Sequence, residues 1–299
     1  MTDTDLRIRE AIPARPIVHD EGGSRSGRLV VIEPARRWPR LYVPELWHYR
    51  ELLLTFVWRD VKVRYKQTLV GVAWALLVPM FTLVVYVVVY GRFAKFPAGH
   101  LKYPVLVIGG LLPMQYFMSS LTGSGMSIVS GSSLVSKVYF PRVLLPLAAV
   151  LTPVVDFTMS FSVMLGVMAW FHTWPGWPAA LLAPAFLALA LITAFGAGLF
   201  LSALNVRFRD VQYAVPVFLQ VLPLLSGVPF ALDRIPQKWQ WILAFNPMST
   251  VIAGWRWAML GGTAPDPAKA AVGLAVVVLL FLGGLTFFRS SEPRFADNI

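Results

Sequence analysis

LVGVAWALLVPMFTLVVYVVVY, residues 69–90, decides the fold. It holds no Asp, Glu, Lys, Arg or His, and as a helix its 22 residues extend about 33 Å, enough to cross a bilayer core of about 30 Å. A water-soluble helix needs a polar face, and this stretch has none. Pro79 near its middle predicts a bend, tolerable where neighbouring helices satisfy the freed carbonyl.

The same texture recurs downstream. The loop GRFAKFPAGHLK (91–102) leads to a second span at about 103–124. That span runs into SSLTGSGMSIVSGSS (119–133), small and hydroxyl residues suited to close helix contact. Segment 131–142, GSSLVSKVYFPR, carries Lys137 and Arg142 between two apolar regions. It reads as an inside loop whose apolar and basic mixture suits a short helix docked on a cytoplasmic partner. The third span, about 143–171, has Pro146 and Pro153 near its start and Asp156 within it. A carboxylate in lipid is costly, so Asp156 must face a partner, a neighbouring helix or water. FHTWPGWP (171–178) is a tight outside loop with two interfacial tryptophans. The fourth span is about 179–204, NVRFRDV (205–211) is a basic inside loop, and the fifth span is about 212–230 with Pro216, Pro223 and Pro229.

Residues 231–262 break the pattern. After Asp233, Arg234 and Lys238, the apolar stretches on either side of Asn246-Pro247 are too short to cross a core of about 30 Å. Two short re-entrant helices dipping into the outer leaflet satisfy both the polarity and the need to pair every backbone group. A sixth span at about 270–288 returns to RSSEPRFADNI. With both termini inside, the inner segments hold 19 of the 26 Lys and Arg and the outer ones 7, as the positive-inside rule requires.

Upstream, residues 1–40 are rich in Arg, Pro, Gly and Asp and read as a mobile cytoplasmic tail. Within the 41–68 region, ELWHYRELLLTFVWRDVKVRYK (45–66) places Leu46, Tyr49, Leu53, Phe56, Val57 and Trp58 at helical spacing. Arg50, Glu51, Arg59, Asp60, Lys62 and Arg64 supply a charged side. This predicts an amphipathic helix at the cytoplasmic interface. The first long apolar run starts too late for a cleavable signal and is expected to remain as an anchor.

Composition agrees: 57% of residues are hydrophobic and 14% charged, against about a quarter charged in soluble domains. Of the 26 Lys and Arg behind the net charge of +11, 13 fall within residues 1–68, ahead of the first span and interleaved with acids. That favours retention of a cytoplasmic flank over nucleic-acid binding. With no Cys, disulfides and thiolate chemistry are excluded. No phosphate-binding Gly-rich loop, HExxH or pair of acids at helical spacing is present, and the four histidines are scattered. The chain is therefore expected to have no catalytic centre, no metal and no cofactor of its own. If it moves a solute actively, the energy comes from a partner or a gradient.

Taken together, RELLLTFVWRDVKVRYKQTLVGVAWALLVPM, SSLVSKVYFPRVLLPLAAVLTPVVDF, SALNVRFRDVQYAVP, FNPMSTVIAGWRWAMLGG and the terminal FADNI resemble the permease subunit of ABC-2 type polysaccharide exporters. These carry O-antigen, capsule and teichoic acid precursors. The resemblance covers about residues 45–299 and leaves out the first 40. It implies an all-α integral membrane protein of the type V ABC-2 exporter fold, with six transmembrane helices, an N-terminal interface or gate helix at 45–66, and re-entrant helices before the last span. Residues 69–299 form the transmembrane domain. It also implies a homodimer in the bacterial inner membrane above two copies of a separate ATPase subunit that binds MgATP. The implied cargo is an undecaprenyl-diphosphate-linked polysaccharide, with O-antigen preferred and teichoic acid, capsule or a smaller amphipathic substrate as the alternative.

The resemblance places ATPase coupling at 131–142, with Lys137, Val138, Tyr139, Phe140 and Arg142 as candidates. Arg50, Arg59, Lys62, Arg64 and Lys66 are candidates to collect the lipid diphosphate, since cations at the inner leaflet attract phosphate. With the path implied to run along the first and fifth spans, Trp74, Phe81, Tyr86 and Tyr90 are candidate channel aromatics on which sugar faces stack. Asp156 is read first as a structural pair, with contact to the transported molecule or a proton relay as alternatives. Asn246 and Pro247 mark the re-entrant break.

Overall fold

The computed structural model describes residues 47–66, 73–176 and 179–295, and among them every regular element is helical. The tail at 1–40, the start of the interface helix, the first residues of the 69–90 run and the last four of the chain lie outside the described residues.

Helix α1 (Arg50–Lys66) turns Leu52, Leu53, Phe56 and Val57 inward with the preceding Tyr49, and Phe56 is the one residue of α1 that is fully buried. Of the residues expected on the apolar face, Tyr49, Leu53, Phe56 and Val57 share this stripe, and Leu46 lies outside the described residues. Trp58, however, lies on the opposite side with Trp47 and Leu54, all three exposed. Arg50 and Lys62 lie over the Trp47 and Trp58 rings at 5.4 and 5.3 Å, an arrangement in which the cation is held by the face of the ring. The helix is thus apolar on two sides, with its cations at the flanks.

Helix α2 (Ala73–Tyr86) continues as a wider π turn, Val87–Phe93, and carries Pro79 inside. Gly91 lies where a Cβ would sit 2.6 Å from the Tyr103 ring, so only glycine lets the next helix close against this end. That next helix, α3 (Tyr103–Ser130), is 28 residues or about 42 Å long. It runs six residues past the end read from the sequence. The hydroxyls of Ser127 and Ser130 bond carbonyls of their own helix, at Ser124 and Met126, so the polar stretch continues the helix instead of ending it. After Gly131 comes the short α4 (Ser132–Lys137).

Helices α5 (Leu144–Leu151) and α6 (Pro153–Trp170) make up one apolar run, 144–170, stepped at Thr152-Pro153. Pro153 cannot donate a backbone bond, and the Thr152 hydroxyl donates to the Ala148 carbonyl at the step. Helix α7 (Ala179–Arg207) follows, then α8 (Val211–Leu225), α9 (Gln237–Ala244), α10 (Pro247–Leu260) and α11 (Pro267–Ser291).

Five helical stretches among the described residues are long and apolar enough to cross a membrane: 73–93, 103–130, 144–170, 181–207 and 267–294. The expected fifth span differs. Helix α8 stops at Leu225 after 15 residues, about 22 Å, and Ser226–Phe230 is a turn with Gly227 at φ +78°. Pro216 and Pro223 within the helix and Pro229 beyond it remove three backbone donors, which accounts for the early stop. The turn nonetheless reaches the far end of α3: the Tyr103 hydroxyl donates to the Pro229 carbonyl at 2.8 Å, and Phe96 meets Phe230 at 5.9 Å.

The core centres on α3, flanked by α5, α6, α7 and α10. Small residues set the spacing. Gly198 faces Ser124, and Gly196 meets Gly284 where α7 and α11 touch backbone to backbone. Of the most apolar window in each span, 78% is buried in α3 but only 11% in the first span, so α3 is the post of the bundle and the first span its loosest member.

Candidate functional site

A cavity of about 410 Å³ opens between the end of α1, α2, α3 and α6. Its walls include Trp74 and Pro79 of α2, Gln115, Tyr116 and Ser119 of α3, and Asp156 and Ser160 of α6. Arg64 and Tyr65 close it from α1. The Arg64 guanidinium donates to one carboxylate oxygen of Asp156 and the Tyr65 hydroxyl donates to the other. Asp156 thus has the partner its place in an apolar helix demands, 92 residues away in sequence. The side chains of the pair keep 42% and 28% of their exposure, so the ion pair faces the cavity and is not sealed in the core. Burial, and then the hydrogen bond to Asp156, push the Tyr65 phenol up, which keeps it a proton donor.

This one cavity brings together Arg64, Trp74 and Asp156, three residues singled out in the sequence for three separate reasons. The other α1 cations do not converge on it. Arg59 pairs with Asp60 at 2.8 Å and lies over Phe56. Arg50 and Lys62 cover tryptophans, and Lys66 is exposed. The four aromatics of the first span also divide. Trp74 lines the cavity and Phe81 projects outward on the same side, seven residues on. Tyr86 and Tyr90 are half-buried and stack toward Phe96 at the far end, at ring separations of 5.1 and 5.5 Å.

At the opposite end of α1 lies segment 131–142, whose five candidate residues face different ways. Lys137, Val138 and Tyr139 are exposed, Tyr139 by 75%. Phe140 is buried and packs edge-on against Phe56 at 5.7 Å. Arg142 donates to the Glu292 carbonyl and lies 5.9 Å over the Phe295 ring. Phe295, from the FADNI motif, is itself buried against Phe288. Lys137 to Tyr139 remain exposed, while Phe140 and Arg142 tie the segment to α1 and to the end of α11.

Two residues near the break before the last span define a second constellation. Asn246 accepts from the Met248 backbone N–H as an N-cap, and its amide donates to the Leu225 carbonyl at 3.3 Å and the Ser226 hydroxyl at 2.9 Å. Pro247 opens α10 at a position where a missing N–H costs nothing. Nine residues on, Arg256 is 6% exposed and donates to four carbonyls: Leu106 at 3.0 Å, Gly227 at 2.9 Å, Phe230 at 3.1 Å and Val228 at 2.6 Å. Gly110 clears the space, since a Cβ there would sit 2.5 Å from the guanidinium. By sequence, Arg256 is one more of the outer charges. Its signal was its setting, a lone cation between Trp255 and Trp257 in an apolar stretch.

The comparisons with known proteins agree with this architecture. Residues 51–260 match the ABC-2 type transporter family. An O-antigen export system permease protein, RfbA of Klebsiella pneumoniae, is 28% identical over 251 residues, covering 83% of this chain and 94% of that protein. The RfbA of Myxococcus xanthus is 29% identical over 259 residues, covering 86% and 98%. The polysialic acid transport protein KpsM of Escherichia coli is 23% identical over 252 residues, covering 78% and 91%. With a family match across most of its length and five helices able to cross a bilayer, this chain is a multi-pass membrane protein that belongs to the ABC-2 type transporter family.

Proposed function

We propose that the chain is the membrane-spanning permease subunit of an ATP-driven exporter that moves an undecaprenyl-diphosphate-linked polysaccharide, O-antigen in the first instance, out of the cytoplasm. The observation that carries this reading is the likeness to O-antigen export permeases over 83–86% of the chain and nearly their whole length. The cavity adds to it: a cation, a phenol and an exposed tryptophan around one space suit an anionic head group followed by a sugar.

The permease works as a homodimer in the bacterial inner membrane, over two copies of an ATPase subunit that binds MgATP. Both termini are cytoplasmic. Five long helices alone would leave the termini on opposite sides. The contact of the turn after α8 with the start of α3 supports a sixth crossing, completed by α8 and that turn. Helices α9 and α10, 8 and 14 residues long, are too short for the bilayer core and suit the re-entrant pair. The exposed Lys137–Tyr139 surface meets the ATPase. Arg50, Arg59, Lys62 and Lys66 attract anionic lipid to α1, and Arg64 binds the diphosphate.

The test is purification of the chain with the ATPase encoded beside it, followed by hydrolysis assays in lipid with and without undecaprenyl-diphosphate-linked glycan. A 2:2 complex whose hydrolysis rises with the glycan supports the exporter and its cargo. A stable complex indifferent to glycan moves the cargo elsewhere, and the absence of any ATPase partner refutes the proposal.

A further inference from the structure

The cation and the phenol that suit a diphosphate at this cavity already hold a carboxylate. Arg64 and Tyr65, adjacent residues at the end of α1, spend their donors on the two oxygens of Asp156, one each. A carboxylate with a guanidinium on one oxygen and a phenol on the other is held as a phosphate oxygen pair would be. The pair borders a cavity of about 410 Å³, room for more than ten waters at about 30 Å³ each in the liquid. Because both side chains stay partly exposed and border the cavity, the attraction between them is weaker than that of a pair sealed in the core. A ligand of higher negative charge can exchange with Asp156 without a charge being stranded in a dry core.

We propose that Asp156 is an internal stand-in for the anionic head of the transported lipid: it holds Arg64 and Tyr65 in the empty protein, and an incoming lipid diphosphate displaces it. This rests on the exporter reading above. The displacement has a mechanical consequence. Arg64 and Phe56 lie on one continuous helix, eight residues or about 12 Å apart. Phe56 is the buried residue through which α1 contacts Phe140 of the coupling segment. Release of the Arg64 end from α6 therefore shifts the Phe56 end, and occupancy of the cavity reaches the surface that meets the ATPase. The ion pair is a sensor of loading as well as a structural contact.

The experiment uses the assembled permease–ATPase complex in nanodiscs and measures ATP hydrolysis. In the wild type, undecaprenyl diphosphate raises the rate several-fold. In Asp156→Asn, which frees Arg64 without a ligand, the basal rate rises toward that stimulated level, and added undecaprenyl diphosphate changes it less than twofold. Asp156→Glu retains the charge and keeps a low basal rate with a response. Phosphatidylglycerol at the same mole fraction leaves the wild type unstimulated; equal stimulation by it overturns the diphosphate assignment. Stimulation by inorganic diphosphate alone overturns the lipid source. Where Asp156→Asn fails to assemble, hydrogen exchange on the wild-type complex decides: undecaprenyl diphosphate changes protection both in residues 60–66 and in 131–142, and no change in either overturns the switch. An Asn variant with wild-type basal rate and response overturns the switch alone. A wild type indifferent to every lipid diphosphate overturns the exporter reading and this one with it.

Discussion

Replacing Arg256 tests whether the turn after α8 is held by a single side chain. Its guanidinium makes four bonds, three to the Gly227–Phe230 turn and one to Leu106 of α3. Hydrogen bonds to a charged group contribute about 1.5–3 kcal/mol each in soluble proteins. Between membrane helices the mean is nearer ~0.6 kcal/mol, because the unfolded state in the membrane also finds partners. Four bonds are thus bracketed between about 2 and 12 kcal/mol. Gln brings two N–H donors to four carbonyls, and each buried acceptor left without a partner costs about 1–3 kcal/mol, so about 2–6 kcal/mol is expected for Arg256→Gln. Arg256→Lys keeps the charge on one donor atom. That atom can serve the clustered turn carbonyls but cannot span to Leu106 as well, so about 1–3 kcal/mol is expected. The assay is thermal unfolding of the purified complex in detergent, followed by size-exclusion chromatography. At about 2–4 °C per kcal/mol for a domain of this size, Arg256→Gln lowers the midpoint by on the order of 10 °C. Arg234→Gln, exposed on the same side, is the control and shifts it by less than about 1–2 °C. Arg256→Gln within 2 °C of wild type would refute the assignment of this turn to Arg256.

Other substitutions separate surface from support. Tyr139→Ala leaves insertion and thermal stability unchanged and lowers glycan-stimulated ATP hydrolysis, whereas Phe140→Ala removes a buried ring and costs about 3 kcal/mol, read as a lower midpoint; equal stability of the two variants would contradict their opposite burial. Asn246→Ala deletes an N-cap and two bonds to the end of α8 for about 1–2 kcal/mol, measured as above, and Asn246→Asp recovers the cap but not the amide donors. Phe295→Ala destabilises by about 3 kcal/mol and frees Arg142, so protease sensitivity rises in segment 131–142 as well as at the C-terminus. Cleavage confined to the C-terminus would show that the two are not joined.

What the sequence made legible was whatever depends on one segment at a time. Length and the absence of charge identify the first span and the four later ones that the structure retains, because a helix in lipid satisfies its own backbone. The fifth differed because apolar composition over 212–230 says nothing of where helical bonding ends, and three prolines with Gly227 at positive φ end it early. The start of α3 at Tyr103 is legible, but its C-terminal end lies beyond the sequence reading for the opposite reason, since serines that look like a loop bond back to their own helix. Pairings across the fold were not legible at all. Asp156 needs a partner by its setting, but nothing local names Arg64 out of five neighbouring cations. Arg256 binds only backbone carbonyls, which leave no trace in residue type.

The pattern of burial decides which element carries motion between segment 131–142 and the cavity. Helices α3 and α1 join these regions, as does the α5–α6 run that leads from segment 131–142 to Asp156, and that run is anchored in the core by the buried Leu144, Leu145, Ala148 and Val150. Helix α3 is the poor candidate: it is buried along most of its length, wedged by glycine contacts, and pinned at Leu106 by Arg256. Shifting it requires repacking the whole core, and close-packed interiors resist that. Helix α1 has a single fully buried residue, Phe56, and its other end is held by a partly exposed ion pair. Elements with few buried contacts open at low free-energy cost. A push on segment 131–142 therefore moves α1 before it moves α3, and it does so at Arg64 and Tyr65. The first span beyond is similarly loose, with Trp74 beside the same ion pair and Pro79 a turn further on. A rigid post with a loosely held α1 and first span at its side lets the cavity change shape without repacking the core.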